Sequence, residues 1–243
     1  MLDVADVREG LKVNQQTLSL RLERVAAQVP VGARLADIGS DHAYLPVSLA
    51  LRGAIASAVA GECASTPFQA AQHTVREHDV GEQISVRLAN GLLAIEAGDA
   101  ITAISLCGMG GETIRDILHS GKSRLSGAER LIMQPNGGEQ PLRQWLMDNH
   151  YRIVAEEVLW ENRFDYEIIV AERTGPVMYS AEELYFGPLL LQQRCPAFLR
   201  KWQRILRLRQ QTLSHLARAQ QAVPAHKIEE LAAQIRWISQ VVA

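Results

Sequence analysis

Residues 34–50, RLADIGSDHAYLPVSLA, place acids, a glycine and a histidine where an apolar strand meets a short amphipathic helix. The strand ends at Asp37, and Gly39, Asp41 and His42 follow before the helix begins. In an open α/β sheet, ligands bind beyond the carboxyl ends of the strands, where the strand order reverses. We therefore predict a ligand site at this junction.

The same alternation of strand and helix continues from about residue 33 to residue 172. The strand-like runs are ARLADI, AIASAVAGE, ISVRLANG, AITAISLCGMGG and RLIMQPN. The helix-like runs are YLPVSLALRG, TPFQAAQHTVREHD, ETIRDILHSG and EQPLRQWLMDNH. Thr66 is the predicted N-cap of the second of these helices, with Pro67 at its first position. Alternating units of this kind predict a parallel sheet with right-handed crossovers.

Two further strand-like runs, YRIVAEEVLWEN and DYEIIVAER, are joined by Arg163 and Phe164, which leaves no room for a helix. They predict a hairpin, with one strand antiparallel at the end of the sheet. Five parallel βα units closed by a hairpin are the layout of class I methyltransferases. The predicted fold class is therefore α/β, a Rossmann-like class I methyltransferase sheet of seven strands.

Composition and cysteine usage narrow the class of protein. The chain has 243 residues, 47% of them hydrophobic, and a formal net charge of -2, which alone predicts no polyanionic partner. Cys63, Cys107 and Cys195 form no CxxC pair, which favours a reducing compartment and no metal site. The start, MLDVADVREGLKV, is unlike a signal peptide, and no run of about 20 apolar residues predicts a membrane span. We expect a cytoplasmic protein.

The composition changes after Gly175 and Pro176. No acid occurs in residues 184–228, and the cations of that stretch are Arg194, Arg200, Lys201, Arg204, Arg207, Arg209, Arg218 and Lys227. On either side of a break at AVPAH, apolar residues recur at spacings of three and four, namely Leu199, Trp202, Leu206, Leu213 and Leu216, then Ile228, Leu231, Ile235, Ile238 and Val242. The pattern predicts an antiparallel, coiled-coil-like helical hairpin. The predicted domains are residues 1–175 and 176–243.

The loop after the first strand favours a cationic nucleoside cofactor. Gly39 lets a ligand approach the backbone, and the N-terminus of the following helix favours a carboxylate. The run is not GxGxxG, because Asp41 occupies a glycine position, and two nearby acids would repel a pyrophosphate. A ligand with a sulfonium and an ammonium group fits better, which favours S-adenosylmethionine over NAD. The alternative is that Ser40 and Asp41 only cap the helix.

The next two strand ends supply further candidates. Glu62 lies 23 residues beyond Gly39, the distance at which an acid commonly holds ribose hydroxyls. The alternative is a solvated loop glutamate. Asn90 and Gly91, after the third strand, would lie near the adenine of a bound nucleoside, or they form a simple turn.

The fourth strand ends in CGMGG, residues 107–111, whose glycines permit close approach to the backbone. Methyltransferases that act on exocyclic amines usually carry an Asn/Asp-Pro-Pro-aromatic motif here, so its absence disfavours an amine acceptor. Cys107 has no pairing signal that would favour covalent catalysis. The fifth strand ends in QPNGG, which would line the substrate side with Gln134, Pro135 and Asn136.

These strand ends together resemble those of the TrmK family, bacterial tRNA (adenine-N1)-methyltransferases that act on adenosine 22. DIGSDHAYLP, CGMGG, QPN and ENRFDYEIIVAE look like that family's motifs in its order, and so does LSLRLERVAAQVP. The resemblance is close over about residues 15–172, and the C-terminal hairpin is similar in kind, less so in sequence. Cys107 departs from the small apolar residue that many members have.

The resemblance implies S-adenosylmethionine as the cofactor and tRNA as the substrate. The implied cofactor contacts are Asp37, Gly39, Asp41, His42, Glu62, Asn90, Gly91 and Gly108. Ser40 and Cys107, in the same two motifs, complete the predicted cofactor set. A monomer or weak dimer is expected, since the apolar stripe of the hairpin can close on itself.

Methyl transfer to adenine N1 needs no prior deprotonation, because neutral N1 carries a lone pair. Alignment of the two reactants would then provide most of the acceleration. Asp41 is the candidate catalytic carboxylate, which would stabilise charge developing on the adenine and accept a proton from N6 afterwards. Alternatively, Asp41 only orients the cofactor. His42 is predicted to lie on the cofactor side rather than to act as a base.

A base in folded RNA must usually leave its stack to be modified. Tyr44, Phe164 and Tyr166 are candidate stacking partners, with core packing as the alternative. The candidate phosphate contacts on one face of the helical hairpin are Arg200, Arg204 and Arg207. The alternative for these is that they are solvated helix charges.

Three rival functions remain at this stage. A class I methyltransferase with another substrate would share the cofactor residues and differ at the helical hairpin. A non-catalytic RNA-binding protein would keep the basic hairpin and fail to bind S-adenosylmethionine. A nicotinamide-dependent oxidoreductase is disfavoured by Asp41 and by the terminal β-hairpin.

Overall fold

The computed structural model describes residues 18–217 and 224–243. One seven-stranded sheet has the order β3-β2-β1-β4-β5-β7-β6. Its strands are β1 Ala33–Ile38, β2 Ile55–Glu62, β3 Ile84–Leu88, β4 Ala103–Met109, β5 Arg130–Pro135, β6 Tyr151–Glu161 and β7 Phe164–Arg173. Strands β1 to β5 pair in parallel, and β7 is antiparallel to both β5 and β6. The predicted fold class is confirmed.

Helices cover the sheet and continue beyond it. They are α1 Leu20–Ala26, α2 Tyr44–Leu51, α3 Ser65–Glu77, α4 Gly111–Ser120, α5 Glu139–Asp148, α6 Ala181–Phe186, α7 Pro188–Gln193, α8 Pro196–Ala217 and α9 Ala225–Val242. In the described residues, no helix is both long enough and apolar enough to cross a membrane. The N-terminal segment judged unlike a signal peptide, Arg218 and part of the AVPAH break lie outside these residues.

Two local predictions about helices are wrong. Helix α3 begins at Ser65, and its N-cap is Ala64, which makes no side-chain cap, so Thr66 is not the cap. Pro67 is still tolerated, because the first-turn N–H groups have no partner within a helix. Helix α2 is not amphipathic, since residues 45–50 are all buried, as expected for a helix enclosed between the sheet and its neighbours.

The β6–β7 connection differs by one residue from the predicted one. The turn residues are Asn162 and Arg163, with φ of 50° and 72°, and Phe164 already pairs with Glu161 at the start of β7. Two consecutive positive φ values belong to a type I′ turn, which matches the twist of a hairpin and favours Asn first. Phe164 therefore projects from the exposed end of the hairpin.

Side-chain alternation on the strands divides the core into two layers. Ala33, Leu35 and Ala103 lie in one buried cluster, and Ala36 and Ile104 lie in the other. Because successive strand residues face opposite sides, Asp37 and Ser105 share the face of Leu35 and Ala103. The register pairs Asp37 directly with Ser105.

The C-terminal helices form the predicted hairpin. Phe198 and Trp202, in the first turns of α8, share a buried cluster with Ile238 and Val241, in the last turns of α9. This contact requires the two helices to run antiparallel. Val158 of β6 belongs to the same cluster, so the helical hairpin packs on the antiparallel end of the sheet.

A buried ion network ties this helical hairpin to the sheet. Arg143 of α5 is fully buried and contacts Glu156 and Glu167, on β6 and β7. Lys201 of α8 contacts Glu167 over 2.6 Å and Glu139 over 3.0 Å. Although burial lowers the pKa of Lys201, these two carboxylates raise it above its ordinary value. Lys201 is therefore a structural cation and is not part of a basic surface.

Candidate functional site

A cavity of about 740 Å³ opens at the carboxyl ends of β1 and β4. We name it the strand-end cavity. Seven of the predicted site residues line it, namely Asp37, Gly39, Ser40, Asp41, Tyr44, Cys107 and Gly108. It lies where the sheet order reverses between β1 and β4, the position predicted from the sequence.

Asp37 fixes the loop after β1. Ser105 Oγ donates to Asp37 Oδ1 over 2.6 Å, and Ser40 Oγ donates to Oδ2 over 2.5 Å. Burial raises the pKa of Asp37, and the two hydroxyls and the Arg21 guanidinium oppose that rise in part. Ser40 therefore acts on the loop through Asp37.

Gly39 has a positive φ that disfavours a side chain, and the tip of Met109 would have to move to admit one. Its φ is 70°, and a Cβ at this position would lie 2.6 Å from Met109 Cε. Its N–H donates to the Gly61 carbonyl of β2 over 2.9 Å. The backbone of the loop is thus held against the sheet and is open to a ligand.

Asp41 lines the strand-end cavity, and the buried Glu62 lies behind it without lining the cavity. Asp41 has φ of 58°, its backbone N–H donates to Glu62 Oε1, and its own carboxylate is 75% exposed. Glu62 is buried, which raises its pKa. The hydrogen bond from the Asp41 N–H lowers that pKa, and the negative charges of Asp37 and Asp41 raise it further. Glu62 is therefore not a solvated loop glutamate.

His42 and Tyr44 lie next to each other at the exposed end of this loop. Their rings stack with centroids 5.1 Å apart, and His42 Nε2 lies 3.6 Å from Asp41 Oδ1. Tyr44 is 41% exposed and lines the strand-end cavity, so core packing does not explain it.

Asn90 and Gly91 lie farther out, beyond β2. The N–H of Ala89 donates to the Glu62 carbonyl over 2.7 Å, which places the turn beside Glu62. Gly91 has φ of 55°, and a Cβ there would meet Ile117 Cγ2 at 3.0 Å. Neither Asn90 nor Gly91 lines the strand-end cavity itself; they extend its surface on the side of β3.

Gln134 organises the opposite wall. Its Oε1 accepts from Gly108 N–H over 3.1 Å and from Arg21 Nη1 over 2.5 Å. Its Nε2 donates to the Pro135 carbonyl and to Asn136 Oδ1. Asn136 Nδ2 donates in turn to the Gly108 carbonyl over 2.8 Å. Gln134 is fully buried. It and Pro135 therefore lie behind the cavity surface and hold this wall in place without facing the ligand.

Three residues of this site are absent from the sequence prediction. Ser105 follows from strand register, which the residues alone do not fix. Met109 lies within CGMGG but carries no polar group that would mark it. Arg21 comes from α1, before the first strand, and its guanidinium lines the strand-end cavity and lies 5.5 Å from the Tyr166 ring centroid.

Cys107 lines the strand-end cavity as a neutral thiol. Burial and the charge of Asp37 raise its pKa well above the ordinary range. The thiolate is the nucleophilic form, so covalent catalysis by Cys107 is disfavoured. Within the described residues, no cluster of three or more His, Cys, Asp or Glu side chains has the arrangement of a metal site.

The candidate RNA contacts lie on the other side of β5. Phe164 is 63% exposed, so core packing is wrong for it, whereas Tyr166 is partly buried against the core. Arg204 pairs with Asp165 over 2.7 Å. All three predicted phosphate contacts are exposed; Arg200 lies over the Trp160 ring, and Arg207 extends from the same helix.

The sequence is similar to one protein family over most of its length. The profile of the TrmK family, described as tRNA (adenine(22)-N(1))-methyltransferase, matches residues 35–240. The tRNA (adenine(22)-N(1))-methyltransferase of Bacillus subtilis (strain 168) is 38% identical over 237 residues. These residues cover 95% of this chain and 99% of the B. subtilis protein.

Solved structures show the same likeness in three dimensions. The crystal structure of the B. subtilis m1A22 tRNA methyltransferase TrmK has a TM-score of 0.87 at 36% identity, covering 94% of this chain and 100% of its own. A Streptococcus pneumoniae structure, determined in complex with S-adenosyl-L-methionine, has a TM-score of 0.86 at 42% identity. It covers 93% of this chain and 100% of its own.

Proposed function

The chain belongs to the TrmK family of tRNA (adenine(22)-N(1))-methyltransferases, and we propose that the strand-end cavity is where S-adenosylmethionine binds and adenosine 22 is methylated. The enzyme transfers a methyl group from S-adenosylmethionine to N1 of adenosine 22 in tRNA. One observation carries the assignment of the site. The exposed backbone at Gly39 and Gly108 and the carboxylate of Asp41 line one cavity at the switch point of the sheet, and Glu62 lies directly behind Asp41, whose N–H it accepts.

The residues of the strand-end cavity fit the chemistry of this cofactor. A Cβ at Gly39 would fill space beside Met109, so the glycine keeps open the approach that a nucleoside needs. Glu62 Oε1 accepts the Asp41 N–H, which leaves Oε2 as the acceptor that we assign to the ribose hydroxyls. Asn90 and Gly91, beside Glu62, are the residues that we assign to the adenine.

The charged end of the cofactor has partners of both signs. Arg21 lines the strand-end cavity and is the cation whose charge acts on Asp37, so we assign to it the cofactor carboxylate. Asp41 and Asp37 supply the negative surroundings that a sulfonium and an ammonium favour. Two acids would repel a pyrophosphate, which disfavours a dinucleotide at this site.

Bound S-adenosylmethionine supplies an electrophilic methyl group on its sulfonium. The protein's task is alignment, because N1 of a neutral adenine already carries a lone pair. Asp41 has an exposed carboxylate held by a constrained backbone, so it can stabilise positive charge on the adenine and accept the N6 proton afterwards. His42, 3.6 Å from Asp41, positions that carboxylate and stacks on Tyr44. Tyr44 and Phe164 are the exposed rings on which the extruded base can stack.

The surroundings of the site suit tRNA. Residues 176–243 act in this proposal as an RNA-binding domain on the catalytic domain of residues 1–175, with Arg200, Arg204 and Arg207 facing phosphates. The buried stripe between α8 and α9 is satisfied within the chain, which supports a monomer or weak dimer. A tRNA-modifying enzyme acts where tRNA is used, so we place it in the cytoplasm.

The experiment is label transfer followed by nucleoside analysis. The purified protein is incubated with labelled S-adenosylmethionine and unmodified tRNA, and the RNA is digested. We expect the label in 1-methyladenosine alone. Label in another nucleoside, or cofactor binding without transfer to any tRNA, would contradict the proposal.

A further inference from the structure

Helix α1 brings a cation to the strand-end cavity from outside the sheet. Arg21, in its first turn, lines this cavity together with Ser19 and Leu22. Its Nη1 lies beside the backbone of Gly108, 3.7 Å from the place that a Cβ of Gly108 would occupy. A residue that precedes β1 in the chain is thereby part of the cavity wall. The position of Arg21 depends on what holds α1 against the sheet.

Glu161, the last residue of β6, holds the first turn of α1. Its Oε1 accepts the Leu20 N–H over 2.7 Å, and its Oε2 accepts the Arg21 N–H over 3.2 Å. Ser19 Oγ accepts the next N–H of this turn, that of Leu22, over 3.3 Å. The first N–H groups of a helix have no partner within it. Glu161 therefore supplies two acceptors that the helix lacks, and its negative charge suits this end of the helix.

The side chain of Arg21 is held at its other end by the sheet. Its Nη1 donates to Gln134 Oε1 over 2.5 Å, and its guanidinium carbon lies 5.5 Å from the centroid of the Tyr166 ring. A guanidinium has five N–H donors in one plane, and the hydrogen bond to Gln134 uses one of them. The others suit a carboxylate, which arginine often binds through two parallel hydrogen bonds. Fixing both ends of Arg21 orients these donors in advance.

A second link joins the same helix to the same strand away from the strand-end cavity. Arg24 Nε lies 2.7 Å from Glu157 Oε1 and 2.9 Å from Oε2. Glu157 precedes Glu161 by four residues, so both carboxylates lie on one face of β6. Neither Arg24 nor Glu157 lines the strand-end cavity. The two links differ in that Glu161 contacts the backbone of a residue that lines this cavity.

We propose that Glu161 is a positioning residue for the cofactor: it fixes the first turn of α1 and thereby directs the Arg21 guanidinium at the carboxylate of S-adenosylmethionine. This rests on the proposed function, which assigns Arg21 to that carboxylate. Glu161 also pairs with Phe164 across the β6–β7 turn. The strand that presents Phe164 to RNA therefore supports the cofactor wall as well.

The test compares two ligands that differ at the amino-acid end. S-adenosylhomocysteine carries the carboxylate and the ammonium, and 5′-methylthioadenosine carries a methyl group in their place. By titration calorimetry, Glu161→Ala should bind S-adenosylhomocysteine about tenfold more weakly and 5′-methylthioadenosine as the wild type does. Arg21→Met should show the same selectivity, and Glu161→Ala should add no loss in the Arg21→Met background. Glu157→Ala, the matched control, should leave both affinities unaltered.

Three results for Glu161→Ala would overturn this inference alone: no loss for either ligand, equal losses for both, or a full loss in the Arg21→Met background. Equal losses would make Glu161 a structural cap. If Glu161→Ala does not fold, Glu161→Gln replaces it. It keeps one oxygen acceptor and should show the same selectivity with a smaller loss, and the same three results would count against the inference. If the wild type binds neither ligand, or Arg21→Met binds S-adenosylhomocysteine normally, the proposed function is overturned at this point, and this inference with it.

Discussion

The strand-end cavity and a second cavity of about 670 Å³, the hairpin cavity between α8, the β6–β7 turn and the first turn of α5, are built in opposite ways. In the first, the acids are held by hydrogen bonds: Asp37 by the hydroxyls of Ser40 and Ser105, and Glu62 by the Asp41 N–H. In the second, Asp165 Oδ1 and Trp202 Nε1 have no partner among the described residues. A preorganised polar site can align a small cofactor at low cost, so the strand-end cavity suits S-adenosylmethionine.

The largest expected effect concerns the link between the two regions. Lys201→Met leaves Glu139 and Glu167 without their shared cation, and it should lower the free energy of unfolding by about 3–5 kcal/mol. Arg24→Met is the matched control, because the Arg24–Glu157 pair is partly exposed and should contribute about 0–1 kcal/mol. Chemical denaturation of both variants measures the difference. Equal losses would mean that the buried network does not join the helical hairpin to the sheet.

The same network has a predicted pH dependence. Burial raises the pKa of Glu167, but Lys201 and Arg143 outweigh it and hold that pKa below its ordinary value. The stabilisation from this carboxylate is therefore present above the ordinary glutamate pKa and is lost as the pH falls below it. Lys201→Met should lose less stability on acidification than the wild type. A larger loss would reverse the assigned sign.

The next effect tests chemistry in the strand-end cavity. Asn tolerates the left-handed conformation of Asp41, so Asp41→Asn changes the charge without straining the loop. We expect kcat to fall about 10²-fold, with little change in S-adenosylmethionine affinity. Single-turnover methylation and cofactor titration separate the two. Full turnover with normal binding would remove Asp41 from catalysis, and lost binding would make it a cofactor-orienting residue.

Glycine substitutions sharpen the claim that the strand-end backbone is preorganised. Gly32 and Gly39 both have positive φ, 74° and 70°, but a Cβ at Gly32 meets nothing within 4 Å. Gly32→Ala should cost about 1–2 kcal/mol of stability from the backbone alone. Gly39→Ala should cost more, because it also displaces Met109, and should weaken S-adenosylmethionine binding about tenfold. Unaltered cofactor affinity in Gly39→Ala would argue against close approach at this loop.

The smallest expected effect is that of Glu62→Gln, which should maintain or raise stability but lower the affinity for S-adenosylmethionine. Burial raises the pKa of Glu62, so its ionised form destabilises the fold at pH 7, and this cost disappears as the pH falls below the ordinary glutamate pKa. Glu62→Gln should therefore be as stable as the wild type or more stable at pH 7. It should also bind S-adenosylmethionine about tenfold more weakly, because a charged acceptor is lost. A variant that is both less stable and normal in binding would contradict the role of Glu62.

The contrast between the two cavities also explains what the sequence could predict. The strand-end loops are local in sequence, so DIGSDHAYLP and CGMGG indicated where Gly39, Asp41 and Gly108 would converge. Ser105 required the β1–β4 register, and Arg21 comes from a helix before the sheet. The burial of Lys201 depends on two acids far away in the chain, Glu139 and Glu167, so its position in an acid-free stretch was misleading. Asp165 and Trp202 carry no local pattern, and only tertiary packing brings them to one cavity.

The most direct test of the central claim uses two tRNA transcripts that differ only at position 22, one with adenosine and one with guanosine. Single-turnover reactions with labelled S-adenosylmethionine are followed to completion. We predict one methyl group per adenosine-22 transcript, at N1 of that nucleotide, and none on the guanosine-22 transcript. Equal incorporation into both, or incorporation into neither, would contradict the assignment of this chain's strand-end cavity to methylation of adenosine 22.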